Sequence, residues 1–265
     1  MKRLATAAVG LPIVFVIIKY LNPAFFFLFV CGGAVVSTLE LHDLAARRGI
    51  HADRILGCLL TLAVIYTFAD DRLSLPAVLA VAAILVPSRR LLGRQGVQGA
   101  LESVSVTLAG LVFIGITLGY IVGLMGIGDE MGRDLTVLLF LAVWLADAGA
   151  FAVGSWIGRH PLSPTISPRK TVEGAAGGLA GSLVGVLLAK GWFFQRLGWT
   201  DALVLAALLW MSGMAGDLAE SLLKRSAEVK DCGKFFPGHG GMLDRADSLL
   251  FAAPVLFFYY NAFMA

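Results

Sequence analysis

The sequence predicts an all-α fold, a polytopic membrane helix bundle of about nine transmembrane helices with its N-terminus in the cytoplasm. Three observations predict it. Hydrophobic residues make up 58% of the chain and charged residues 15%, and the mean hydropathy is +0.83; a soluble domain carries about 25% charged residues. Apolar runs of helix length recur from one end of the chain to the other. Basic residues collect at alternate ends of those runs.

The apolar segments lie at 4–21, 23–44, 54–70, 73–88, 102–127, 134–158, 174–195, 201–228 and 247–264, against roughly 20 residues per crossing. The first, in MKRLATAAVGLPIVFVIIKYL, looks like a signal peptide, but further spans follow it, so it reads as the first helix. The segments at 54–70 and 73–88 are short and separated by Asp71 and Arg72. They read either as two spans or as a re-entrant pair, and both readings leave the same topology beyond them.

With the N-terminus inside, only Lys19, Arg72, Arg133, Lys190 and Arg196 fall at outer ends, and the other 16 of the 21 basic residues fall inside. That is the bias of a membrane protein with this orientation. It places the polar loops 159–173 and 229–246 on the cytoplasmic side. We expect two regions: N-terminal transmembrane helices over 1–100, and a C-terminal transmembrane catalytic region over 101–265. The three cysteines, Cys31, Cys58 and Cys232, suggest neither a disulfide framework nor a CxxC metal site.

One polar stretch stands out, SGMAGDLAESLLKRSAEVKDCGKFFPGHGGMLDRADS at 212–248. Charge near a bilayer is costly, so such a cluster is a candidate site. Asp217, Ser221, Lys224 and Arg225 follow helical spacing on one face, with Glu220 beside them. Lys230, Asp231 and Lys234 follow. Then comes the Pro237–Gly238–His239–Gly240–Gly241 turn, whose glycines let backbone N–H groups approach a phosphate. Asp244, Arg245 and Asp247 close the stretch, with Asp244 and Asp247 one turn apart if the last helix starts there. Carboxylates alternating with cations suit phosphate chemistry assisted by a hard cation such as Mg²⁺. The plainer reading is a juxtamembrane loop whose lysines meet anionic headgroups; the interleaved carboxylates weigh against it.

A second stretch supports the first. Asp147 sits inside an apolar segment, and Ser167, Lys170, Thr171 and Glu173 cluster at the start of the next helix. Helix capping is the competing explanation for Ser167, Pro168 and Glu173. A structural ion pair is the one for Asp147.

These residues resemble the phosphatidate cytidylyltransferase (CDP-diacylglycerol synthase) family. Its signature is matched here by Ser221, Lys224–Arg225, Lys230–Asp231, Pro237 to Gly241, Asp244–Arg245 and Asp247, with no break at any specified position. Asp147 to Gly154 and the run from Ser167 to Gly174 also look like the family. The first 100 residues match only in being hydrophobic and in Glu40.

The resemblance implies transfer of CMP from CTP to phosphatidic acid, giving CDP-diacylglycerol and pyrophosphate. It implies Mg²⁺, with K⁺ as a second ion. Asp217 and Asp244 would be the first metal ligands, and Asp231 and Asp247 the second. Lys224, Arg225, Lys230, Lys234 and Arg245 would hold phosphate. Ser167, Lys170, Thr171, Ser221, Gly240 and Asp147 would join the substrate pocket. His239 would either bind phosphate or serve the turn alone. The expected setting is the inner membrane, multi-pass, with the site facing the cytoplasm, no nucleic-acid partner, and a homodimer as a further expectation. Other readings are a cytidylyltransferase for a different membrane lipid phosphate, a transporter, and an inactive regulatory homologue. A transporter would be expected to show an internal inverted repeat, and none is visible.

Overall fold

The computed structural model describes residues 12, 14–93, 97–233, 235 and 240–265. Lys234, Pro237, Gly238 and His239, named above, lie outside the described residues, as do Lys2, Arg3 and Arg94 among the basic residues counted at inner ends. Residues 14–20 are helical. Helices α1 (Pro23–Arg47), α2 (Arg54–Tyr66), α3 (Leu75–Leu92) and α4 (Ala100–Met125) follow. Next come α5 (Asp129–Ile157), a hairpin of β1 (Pro161–Ser163) and β2 (Ser167–Thr171), α6 (Val172–Trp192), α7 (Trp199–Ser226) and α8 (Leu243–Phe263).

Seven of these helices are long and apolar enough to cross a membrane: α1 and α3 to α8. The all-α expectation therefore holds, apart from the two-stranded hairpin. Helix α2 has 13 residues, or about 20 Å at 1.5 Å per residue, short of a bilayer core of about 30 Å. Local chemistry sets several starts. Asn22 and Asp53 accept the early amides of α1 and α2 through their side chains, and Pro23 opens α1 where no amide donor is needed. A π-helical turn at Leu111–Ile116 interrupts α4, and the Thr117 hydroxyl bonds back to the Phe113 carbonyl at 2.6 Å.

The chain forms two compact units. The first comprises Met1–Leu21, Ile127–Leu222 and Asp247–Ala265. Its core holds Leu135, Leu138, Leu139, Ala142, Val186, Leu205, Leu209 and Leu250. Helices α5 and α6 pack with their backbones nearly touching. A Cβ on Gly181 would stand 2.1 Å from the Leu145 carbonyl oxygen, and one on Gly149 would stand 2.4 Å from that of Gly177. Small residues permit this approach where lipid supplies no hydrophobic drive between helices.

The second unit comprises Asn22–Gly126 and Leu223–Ala246. Leu60, Val64, Val78, Ala82, Val86 and Leu111 form a buried cluster within it. Its interior is also polar: Ser37, Thr38, Glu40, His42, Thr61, Ser103 and Thr107 are all buried.

Candidate active site

In the first unit, glycines on α7 fix how closely α8 approaches. A Cβ on Gly216 would stand 2.3 Å from the Asp247 carbonyl oxygen, and one on Gly213 would touch Ser248. With that approach, Asp217, Glu220 and Asp247 present carboxylate oxygens all within 4.8 Å of one another. Asp147 lies near enough for its charge to act on Asp247. Like charges this close oppose one another unless a cation sits among them. Three hard oxygen donors at such spacing suit a divalent cation.

The hairpin brings a cation to the same place. Pro161 pairs with Thr171 and Ser163 with Ser167 in antiparallel register. This carries Lys170 to Asp217, where Nζ and Oδ2 are 2.8 Å apart. The base of the hairpin is tied to α6 by Glu173, whose carboxylate accepts the Arg159 amide at 3.0 Å and the His160 amide at 3.2 Å. It also pairs with the His160 ring. Thr171 caps α6, accepting the Gly174 amide at 3.1 Å. Capping is the competing explanation for Ser167, Pro168 and Glu173; the cap is Thr171, while Ser167 and Pro168 sit in β2 and Glu173 lies in the first turn of α6.

A cavity of about 490 Å³ opens beside these groups. Asp147, Asp217, Lys170, Arg169 and Thr171 supply its polar wall. Most of the remaining lining is small or apolar, including Ala146, Ala150, Phe151, Gly178, Leu209, Trp210 and Met214.

The second unit holds the other half of the expected residues. Asp244 Oδ1 accepts from Lys224 Nζ at 2.7 Å. Its Oδ2 accepts the amides of Cys232 at 2.9 Å and Gly241 at 2.7 Å. Gly240 turns the chain with φ +85°, a conformation that favours glycine, and a Cβ there would stand 2.7 Å from Asp244 Oδ2. Last helix α8 starts at Leu243, so Asp244 and Asp247 do lie one turn apart near its start.

Of the four carboxylates expected to bind metal, Asp217 and Asp247 lie in the converging trio. Asp244 faces a lysine and two amides, and Asp231 is exposed. Arg225, Lys230 and Arg245 are exposed, and Ser221 is buried. Glu220 was read only as a neighbour of the polar face, yet it is fully buried and completes the trio. Its signal was there: it lies three residues from Asp217 on one helix. Glu40 carried only a faint signal, one acid late in an apolar helix; it accepts the amides of Met242 at 3.0 Å and Leu243 at 2.8 Å.

Comparison with known proteins gives a consistent result. The model of the cytidylyltransferase family matches residues 1–263. A protein of Synechocystis sp. named phosphatidate cytidylyltransferase is 50% identical over 131 residues, which cover 48% of this chain and 43% of the relative. One of the same name from Staphylococcus saprophyticus is 42% identical over 144 residues, 53% of this chain and 55% of the relative. Another from Bacillus subtilis is 39% identical over 153 residues, 58% and 56%. The chain thus spans about half the length of the curated relatives it matches.

Proposed function

Because the chain belongs to the cytidylyltransferase family, we propose that it transfers CMP from CTP to the phosphate of phosphatidic acid, giving CDP-diacylglycerol and pyrophosphate. One observation carries the reading. Asp217 converges with Glu220 and Asp247, and it also lines a cavity whose other walls are largely apolar, with Lys170 beside it. Apolar walls suit a lipid, and the charged end suits phosphate held with a cation. The name shared by the bacterial relatives supports the same reading.

Asp217, Glu220 and Asp247 would hold Mg²⁺, since their hard oxygens and close spacing fit that ion. When bound, the cation offsets charge on the triphosphate and on the departing pyrophosphate.

The chain's own residues then bind, orient and exclude. Lys170 and Arg169 put positive charge at the polar end of the cavity, where the lipid phosphate would sit. A phosphate monoester has a second pKa of about 6 and is already a nucleophile at neutral pH. Its oxygen forms a bond to the α-phosphorus of CTP, the bond to the bridging α–β oxygen breaks, and pyrophosphate leaves. No side chain needs to form a covalent bond.

Lys224, fixed by Asp244, is a cation held in one position for an anionic substrate. Arg225, Lys230 and Arg245 attract triphosphate from the aqueous side. Lys234 and His239 join them on the strength of the motif alone. The one-sided distribution of basic residues supports a cytoplasmic active site in the inner membrane.

The test is transfer of label from CTP to lipid by purified protein, with phosphatidic acid and an isoprenoid phosphate as parallel acceptors. Label in CDP-diacylglycerol supports the reading. Label only in the isoprenoid product, or in neither, overturns it.

A further inference from the structure

We propose that Glu40 is a positioning residue for the reaction, acting from α1 on the turn that carries Asp244. The proposal rests on the reading above and goes beyond it, because Glu40 is a member neither of the trio nor of the cavity lining. Glu40 is only 6% exposed and lies in the second unit with the turn it serves.

The first amides of any helix have no partner within the helix. In α8 and the turn before it, three consecutive amides are taken by two carboxylates. Asp244 accepts from Gly241, while Glu40 Oε1 accepts from Met242 and Oε2 from Leu243. Glu40 thus caps the helix from 202 residues away in sequence. A buried carboxylate requires such partners, and a helix start favours negative charge.

The surrounding residues are shaped to this contact. A Cβ on Gly233 would stand 2.1 Å from Glu40 Oε1, and one on Gly241 would stand 2.4 Å from both carboxylate oxygens. Gly33 lies two turns before Glu40 on α1, and a Cβ there would meet the end of Met242 at 2.7 Å. One face of α1 therefore grips residues 241–243, and residue 244 follows directly. Asp244 in turn fixes Lys224. Loss of the grip releases Asp244 and Lys224 together.

Glutamine fills the same volume but offers one acceptor oxygen, and its NH₂ would face the second amide donor to donor. Aspartate keeps two acceptor oxygens on a shorter stem. If Glu40 acts by accepting two amides, turnover ranks Glu above Asp above Gln. If it acts by filling space, the isosteric Gln ranks above Asp.

The experiment compares parent, Glu40→Asp and Glu40→Gln for kcat and for KM of each substrate. Alongside, hydrogen exchange is followed at amides 241–243 in the unaltered protein. The expected result is a kcat loss of about tenfold or more in Glu40→Gln, as befits loss of a charged hydrogen bond, with Asp above Gln and with slow exchange at all three amides. A smaller loss, Gln above Asp, or exchange at 242–243 as fast as in free loop overturns the proposal, and the exchange result stands even where a variant fails to fold. A parent with no cytidylyl transfer at all overturns the functional reading instead, and the exchange measurement then still judges the cap.

Discussion

Asp217 on α7 and Asp247 on α8 present carboxylate oxygens within 4.8 Å of each other, and Gly216 makes this approach available. The pairing joins residues from two helices whose side chains would otherwise repel. It places this pair of carboxylates where Lys170 meets Asp217, which also lines the cavity.

Neutralising either acid should weaken cation binding. Asp217→Asn and Asp247→Asn are each expected to lower kcat/KM by about 100-fold or more. Each should also shift the Mg²⁺ activation curve to higher concentration. Titration of initial rate against Mg²⁺ reads both effects. Glu220→Gln should behave the same way, although the sequence alone gave it no role.

Gly216→Val should damage both fold and activity. The added Cβ overlaps the Asp247 carbonyl oxygen, so α8 must move away from α7. Overpacking of this kind costs about 1–3 kcal/mol. The thermal midpoint in detergent should fall, and the rate at saturating Mg²⁺ should fall with it, because Asp247 moves with its helix.

Lys224→Gln is expected to reduce activity about tenfold or more, since it removes a fixed cation and the ion pair that Asp244 makes with it. Its effect should appear in kcat as well as in KM for the anionic substrates. Steady-state kinetics with each substrate varied in turn would show this.

How far this site could be read from the sequence depends on the range of the interactions. The motif from Ser221 to Asp247 and the helical face of α7 are local patterns, so Asp217, Lys224 and Asp244 were visible at once. Contact between Asp217 and Asp247 depends on Gly213 and Gly216, and glycine alone does not announce which neighbour it admits. Glu40 bonds to backbone amides, which leave no side-chain pattern at Met242 or Leu243. The hairpin at 161–171 has no alternation of apolar and polar residues, and its prolines made it read as a loop. The length of α2 is less than the sequence suggests because Thr67, Phe68 and Ala69 extend the run after the helix has ended; Asp70 closes the following turn by accepting from the Tyr66 hydroxyl and the Arg72 amide.

Asp134 offers a contrast within the first unit. It is buried and bonded to Lys19 and, at 3.0 Å, to Arg196. Removing one member of such a group costs about 3–5 kcal/mol. Asp134→Ala should therefore lower the thermal midpoint strongly, while the protein that remains folded keeps its KM for CTP. Calorimetry and kinetics on one preparation separate the two.

No nucleotide should remain on the protein during turnover, because the lipid phosphate is itself the nucleophile. Incubation with labelled CTP and Mg²⁺ without lipid, followed by denaturation, should leave the polypeptide unlabelled. A stoichiometric burst of protein-bound label would mean a covalent intermediate and a different mechanism.

The most direct test of the central claim is incorporation of labelled CTP into lipid by purified protein with phosphatidic acid and Mg²⁺, run beside Asp217→Asn and Asp247→Asn. The account predicts labelled CDP-diacylglycerol from the parent and near-complete loss in both folded variants. A folded parent that makes no such product, or variants that make it at the parental rate, would contradict it.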